Sequence, residues 1–130
     1  MAILIELPNS KVEWIPSGKI LLKTINGLCT GPELEILFNT GFEKVRDEKG
    51  VKWLSDNRKM RPYSQNDVQW INENWLPRML NIGWKYWGLV EPVTALGNLN
   101  MKNFDFYKDK GLFVELFKSK NEGFEWLRTV

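Results

Sequence analysis

The chain has 130 residues, of which 43% are hydrophobic and 26% charged, a balance that suits a folded domain and excludes a disordered tail. It has no histidine and one cysteine, Cys29, which excludes Ser-His-Asp and Cys-His catalysis, histidine metal ligands, an internal disulfide and a cysteine-rich zinc site. The net charge of +2 is too small to mark a nucleic-acid binder.

The length fits one domain, residues 1–130, and suffices to bury a core without a disulfide or a metal. The first residues, Met1-Ala2-Ile3-Leu4-Ile5-Glu6, have no basic segment before a long apolar one, and no apolar run nears the ~20 residues of a membrane span. A free cysteine agrees with a reducing compartment. The expectation is a soluble cytoplasmic protein.

Ile3, Ile5 and Leu7 alternate with Leu4, Glu6 and Pro8, then Val12 and Trp14 with Lys11 and Glu13. After the turn signal Ser17-Gly18, residues 19–25 form a third strand, so the start reads as an antiparallel meander. A helix follows: Thr30 or Gly31 could cap it, Pro32 suits its first turn, and Leu34, Leu37, Phe38, Phe42 and Val45 recur at helical spacing. Residues 51–56 form a short apolar strand and residues 57–63 a loop.

Ser64-Gln65-Asn66-Asp67 opens a second helix in the manner of a capping box, with Val68, Ile71, Trp75, Met79 and Ile82 on its apolar stripe. Pro77 should kink this helix rather than end it, because the period continues to Ile82. Residues 85–91 and 112–117 are strands, and Ser119-Lys120-Asn121-Glu122 caps a short last helix. Residues 94–107 fit a helix only partly. Strands alternating with helices require a largely parallel sheet. The expected class is therefore α/β (α+β): antiparallel N-terminal strands, then αβαβαβα on one mixed sheet.

The chain carries seven tryptophans, Trp14, Trp53, Trp70, Trp75, Trp84, Trp87 and Trp126, five of them between residues 53 and 87. One small core is not expected to take in all seven, so some should line a pocket, a dimer interface or a partner surface.

The segments Asp56-Asn57-Arg58, Ser64-Gln65-Asn66-Asp67-Val68-Gln69-Trp70-Ile71, Trp75-Leu76-Pro77-Arg78, Gly83 and Gly88-Leu89-Val90-Glu91-Pro92 resemble the SpoIIAA-like group of the STAS superfamily. The ending, Phe117-Lys118-Ser119 and Glu122-Gly123-Phe124-Glu125-Trp126-Leu127, is similar to that group's C-terminal helix. The resemblance spans roughly residues 10–128 and rests on structural motifs. It implies a mixed sheet with helices mainly on one face, and no enzyme activity, metal or cofactor. Relatives named in the group include anti-sigma-factor antagonists, which bind a kinase and are switched by serine phosphorylation. Their serine follows an aspartate and short polar residues at a helix start. Here Asp56 is followed by a longer segment with Arg58, Lys59 and Arg61, and the serine at the helix start is Ser64. Ser64 is thus a candidate phosphosite, with a plain N-cap as the competing reading.

Two clusters are candidate sites. Arg58, Lys59 and Arg61, with Ser64, stand between the carboxyl end of a strand and a helix N-terminus, where open α/β sheets bind ligands and free amides favour anions. They could hold a phosphate, a carboxylate or an acidic partner loop; the competing reading is a solvated loop in which Asp56 pairs locally. Trp70, Asn74, Pro77 and Arg78 form a second stripe on the second helix, a candidate partner surface unless Trp70 simply folds over the helix. Cys29 reads as a small buried filler. The expected function is a non-enzymatic protein-binding or regulatory module, dimeric through the Trp70/Asn74/Pro77 face or an edge strand, with an unidentified protein partner and no cofactor, metal or nucleic acid. The alternative, from the aromatic load and the lipid-carrier half of the superfamily's STAS/SEC14 label, is a carrier or sensor of a small apolar or lipid-like ligand.

Overall fold

The computed structural model describes residues 1–91 and 107–130. One six-stranded sheet organises them, in the order β1 (Ala2–Leu7), β2 (Ser10–Ile15), β3 (Ile20–Gly27), β4 (Lys52–Met60), β5 (Tyr86–Val90) and β6 (Phe113–Phe117). The first three strands are antiparallel and β3 to β6 are parallel. The sheet is mixed, as the order of elements predicts. The main helices among the described residues are α1 (Gly31–Glu48), α2 (Gln65–Trp70), α3 (Leu76–Asn81) and α4 (Lys120–Thr129). Apart from Tyr107, the partly helical pattern of residues 94–107 lies outside the described residues.

Strand alternation sorts side chains onto two faces. In β3, Leu21 and Ile25 face α1, where they pack with Leu34, Leu37, Phe38, Trp53, Trp75 and Met79. Ile20 and Leu22 face the other way and pack with Leu54, Val90 and Leu127 under α4. Helices α1 to α3 thus share a contiguous core on one face, and the C-terminal helix covers part of the opposite one.

Two glycines mark places where elements nearly touch. A Cβ on Gly41 of α1 would lie 2.5 and 2.7 Å from ring atoms of Trp53. A Cβ on Gly123 of α4 would lie 2.7 Å from Leu54 Cδ1, and one on Gly88 of β5 would lie 2.8 Å from the same atom. Leu54 is thus seated between two bare backbones. Gly41 costs the helix some propensity but lets it approach the sheet.

Where a kink is expected, the helix changes type. Between α2 and α3, Ile71–Trp75 make a π-helical turn just before Pro77, which has no N–H to give the regular ladder. The wide turn slips the helical phase. Asp67, Trp75, Leu76 and Met79 are buried, whereas Val68, expected on the apolar stripe, is exposed.

One further expectation changes. Strand β4 does not stop at residue 56: Lys59 and Met60 pair with Asn26 and Gly27, and the Arg61 amide donates to the Gly27 carbonyl at 2.8 Å. Arg58 and Lys59 are therefore strand residues, not loop residues. The core does not take in all seven tryptophans, as their number predicts. Trp14, Trp53, Trp75 and Trp84 are buried and Trp70, Trp87 and Trp126 half-buried. Ring centroids of Trp53, Trp75, Trp84 and Trp87 lie 4.9–6.4 Å apart in tilted and edge-on pairs.

Candidate functional site

Beyond Leu22 and Leu54, strand alternation carries Thr24 and Asp56 onto the same face as α4, at the carboxyl edge of the parallel strands. The parallel register sets them side by side. Asp56 is buried, and Arg58, two residues on, reaches back to it. Arg58 Nε and Nη2 donate to the two carboxylate oxygens at 2.9 Å each, and the Arg58 amide donates at 3.4 Å. Burial alone would raise the Asp56 carboxyl; the guanidinium fork and amide outweigh it and hold the group below the usual carboxylate range. Among the described residues Asp56 forms its ion pair with Arg58, and the Lys120 charge also acts to lower it.

A cleft of about 220 Å³ opens beside this pair, lined by Lys11, Thr24, Asn26, Asp56, Arg58, Lys59 and Lys120. A shallower one of about 130 Å³ continues along the same edge, sharing Lys11, Thr24 and Asn26. Lys11 pairs with Glu13 at 3.4 Å. Among the described residues Lys59 and Lys120 have no ion pair. Lys120 is the first residue of α4, whose N-cap Ser119 accepts a bond from the Glu122 amide at 3.2 Å. Thr24 lines the cleft, and its buried Oγ1 has no hydrogen-bond partner among the described residues.

The structure thus unites Arg58 and Lys59 and separates them from the other two residues of the basic cluster. Arg61 lies past the end of β4, exposed, and does not line the cleft. Ser64 belongs to another junction. Its Oγ accepts from the Asp67 amide at 3.1 Å and donates to Asp67 Oδ2 at 2.8 Å. The same carboxylate accepts from the Thr30 hydroxyl and, at 3.1 Å, from the Gly31 amide. Burial works to raise Asp67, and these bonds from Thr30, Ser64 and Gly31 hold it below the usual range. Ser64 is an N-cap that also helps join the starts of α1 and α2. A phosphate on Ser64 would set a second negative charge against Asp67.

The expected partner stripe divides. Trp70 is half-buried and stacks on Phe38 at 6.2 Å. Arg78 lies over the Phe42 ring at 4.8 Å and donates to Asn39 Oδ1 at 2.6 Å and to the Asn74 carbonyl at 3.0 Å. Both side chains tie the kinked helix to α1, while Asn74 and Pro77 stay exposed. Cys29 is buried beside Ser10 Oγ at 3.8 Å, and burial raises its thiol.

Sequence reasoning missed Lys11 and Lys120, which lie far along the chain from Arg58 and meet it only through sheet pairing and the last crossover. It also missed Lys23, a single charged residue within the apolar run Ile20–Ile25. Lys23 is 2% exposed, lies 4.5 Å above the Phe38 centroid, and its Nζ donates to the Tyr63 hydroxyl at 2.9 Å. Burial lowers its pKa to about 7, against the opposing pull of Glu91 and Cys29. Near the same edge, Asn57 Nδ2 donates to Glu91 Oε1 at 3.0 Å while Asn57 Oδ1 lacks a partner. Among the described residues no group of three or more acidic or cysteine side chains could hold a metal ion, and no helix is long and apolar enough to cross a membrane.

No family model and no curated protein matches this chain. Its fold is similar to that of an uncharacterized protein of the DUF3478 family, with a SpoIIAA-like fold, from Shewanella loihica PV-4. The TM-score is 0.64 at 13% sequence identity, over 95% of this chain and 97% of that one. The fold is therefore SpoIIAA-like, as the sequence resemblance implies.

Proposed function

We propose that this chain is a non-catalytic binding module that docks an acidic segment of a partner protein at the carboxyl edge of its sheet. The observation that carries this reading is the charge arrangement of the cleft. Lys11, Arg58, Lys59 and Lys120 converge on it, while its own carboxylate, Asp56, is already held by Arg58. Unrelieved cations gathered at one edge favour an anionic visitor, and lysines without partners keep their charge available to it.

The carrier reading has less support. The rings that motivated it pack against one another, and both clefts described above are lined mainly by polar side chains.

A labelled Glu-rich peptide tests the docking reading by fluorescence anisotropy. Binding is expected at low ionic strength and should weaken steeply as salt rises. The double substitution Lys59→Ser with Lys120→Ser should lower affinity at least tenfold and flatten the salt dependence, with little change in melting temperature, because among the described residues neither lysine forms an ion pair. Peptide binding of unchanged strength and salt dependence in the double variant refutes the reading.

A further inference from the structure

Resting on that docking site, we infer that the group the cleft recognises is a phosphoryl group rather than a carboxylate. The first argument is charge. Arg58 is matched by Asp56 and Lys11 by Glu13, so among the described residues the ammonium groups of Lys59 and Lys120 are left without an ion pair, with the Lys120 charge felt at Asp56 from a distance. A phosphate ester carries close to two negative charges at neutral pH, a carboxylate one.

The second argument is the type of donor. A carboxylate is planar and best met by an arginine fork, and the one fork in this cleft is taken by Asp56 through both of its oxygens. What remains are side chains from separate elements: Lys59 from β4, Lys120 from the first turn of α4, and Thr24 from β3. Donors that approach from several directions suit the tetrahedrally set oxygens of a phosphoryl group.

The third is Thr24 itself. The residue is 8% exposed and its Oγ1 has no hydrogen-bond partner. A buried hydroxyl left without a partner is costly, and here it belongs to a residue of the cleft wall. At about 220 Å³ the cleft has room for a phosphoryl group together with the chain that carries it.

Calorimetric titration with inorganic phosphate and with acetate tests the inference on the intact chain. Phosphate should bind at least tenfold more tightly than acetate at equal ionic strength. Lys59→Ser with Lys120→Ser should remove that preference. Thr24→Val, which keeps the shape and deletes the hydroxyl, should reduce it about threefold or more, and Thr24→Ser should retain it. Retained binding of the Glu-rich peptide shows that each Thr24 variant is folded.

A phosphoserine peptide separates the two sources of the ligand. Tighter binding than free phosphate identifies a modified residue of a partner, and equal binding identifies a soluble phosphate; both outcomes support the site. If phosphate binds no better than acetate while the Glu-rich peptide still binds, the phosphoryl inference is overturned and the docking reading stands. If neither binds, both are overturned.

Discussion

Lys23 gives the sharpest test of the energetics. Its amine is buried under Phe38 with the Tyr63 hydroxyl as its one hydrogen-bond partner, and its pKa falls from 10.5 to about 7. The unfolded chain therefore keeps a proton through the window from pH 7 to 10.5 that the native state has largely given up. Stability must rise with pH across that window, and the penalty is fully present below pH 7. At about 1.4 kcal/mol per pH unit, the penalty at neutral pH is on the order of 4 kcal/mol. Lys23→Met removes it but leaves the Tyr63 hydroxyl without its donor, which costs about 1–2 kcal/mol. The variant should thus be more stable than the parent by about 2–3 kcal/mol at pH 7, and the advantage should vanish or reverse near pH 10. Urea unfolding followed by tryptophan fluorescence at several pH values measures this. The wild-type minus variant difference removes the contributions of other groups that titrate at high pH, Tyr107 and Cys29 among them. A variant that is less stable than the parent at every pH, with a flat difference, refutes the argument.

Two substitutions probe the packing and the helix junction. Gly41→Ala should destabilise by about 2 kcal/mol in chemical denaturation, despite the gain in helix propensity, because Trp53 is held by Phe38, Trp75 and Trp84 and cannot yield to a new methyl group. A stabilised Gly41→Ala would show that α1 shifts freely on the sheet. Ser64→Ala should cost about 1–2 kcal/mol by loss of the cap, and Ser64→Asp should cost more near neutral pH, because its carboxylate would face that of Asp67. Acidification that protonates the introduced carboxylate should narrow the gap between the two variants; equal stability at all pH values would mean the carboxylates do not meet.

What was legible in the sequence was local. Leu34 to Val45 repeat at helical spacing, and α1 is where they put it. Ser64 and Ser119 look like caps and both serve as caps. What escaped was set by partners distant in sequence. Nothing in residues 57–60 extends them into β4; Asn26 and Gly27 do, by offering a parallel edge. Val68 fits a regular helical stripe, but the helix does not stay regular: a π-helical turn follows at Ile71–Trp75, and Val68 is exposed. The cleft draws Lys11 from β2, Thr24 from β3, Arg58 and Lys59 from β4 and Lys120 from α4, so just one adjacent pair of its residues could be read as a cluster. Lys23 shows the converse: its burial follows from a central strand covered on the α1 face, which no single residue announces.

The seat of Leu54 has an evolutionary corollary. Its Cδ1 lies where a Cβ at either Gly88 or Gly123 would fall, so the three residues share one volume contributed by β4, β5 and α4. Among homologues that keep this backbone, the three positions should covary. An alanine or serine at 88 or 123 becomes tolerable where 54 shortens, and a branched residue at 54 requires both glycines to persist. That covariation would pin the C-terminal helix to its place on the sheet even between chains too divergent for motif comparison.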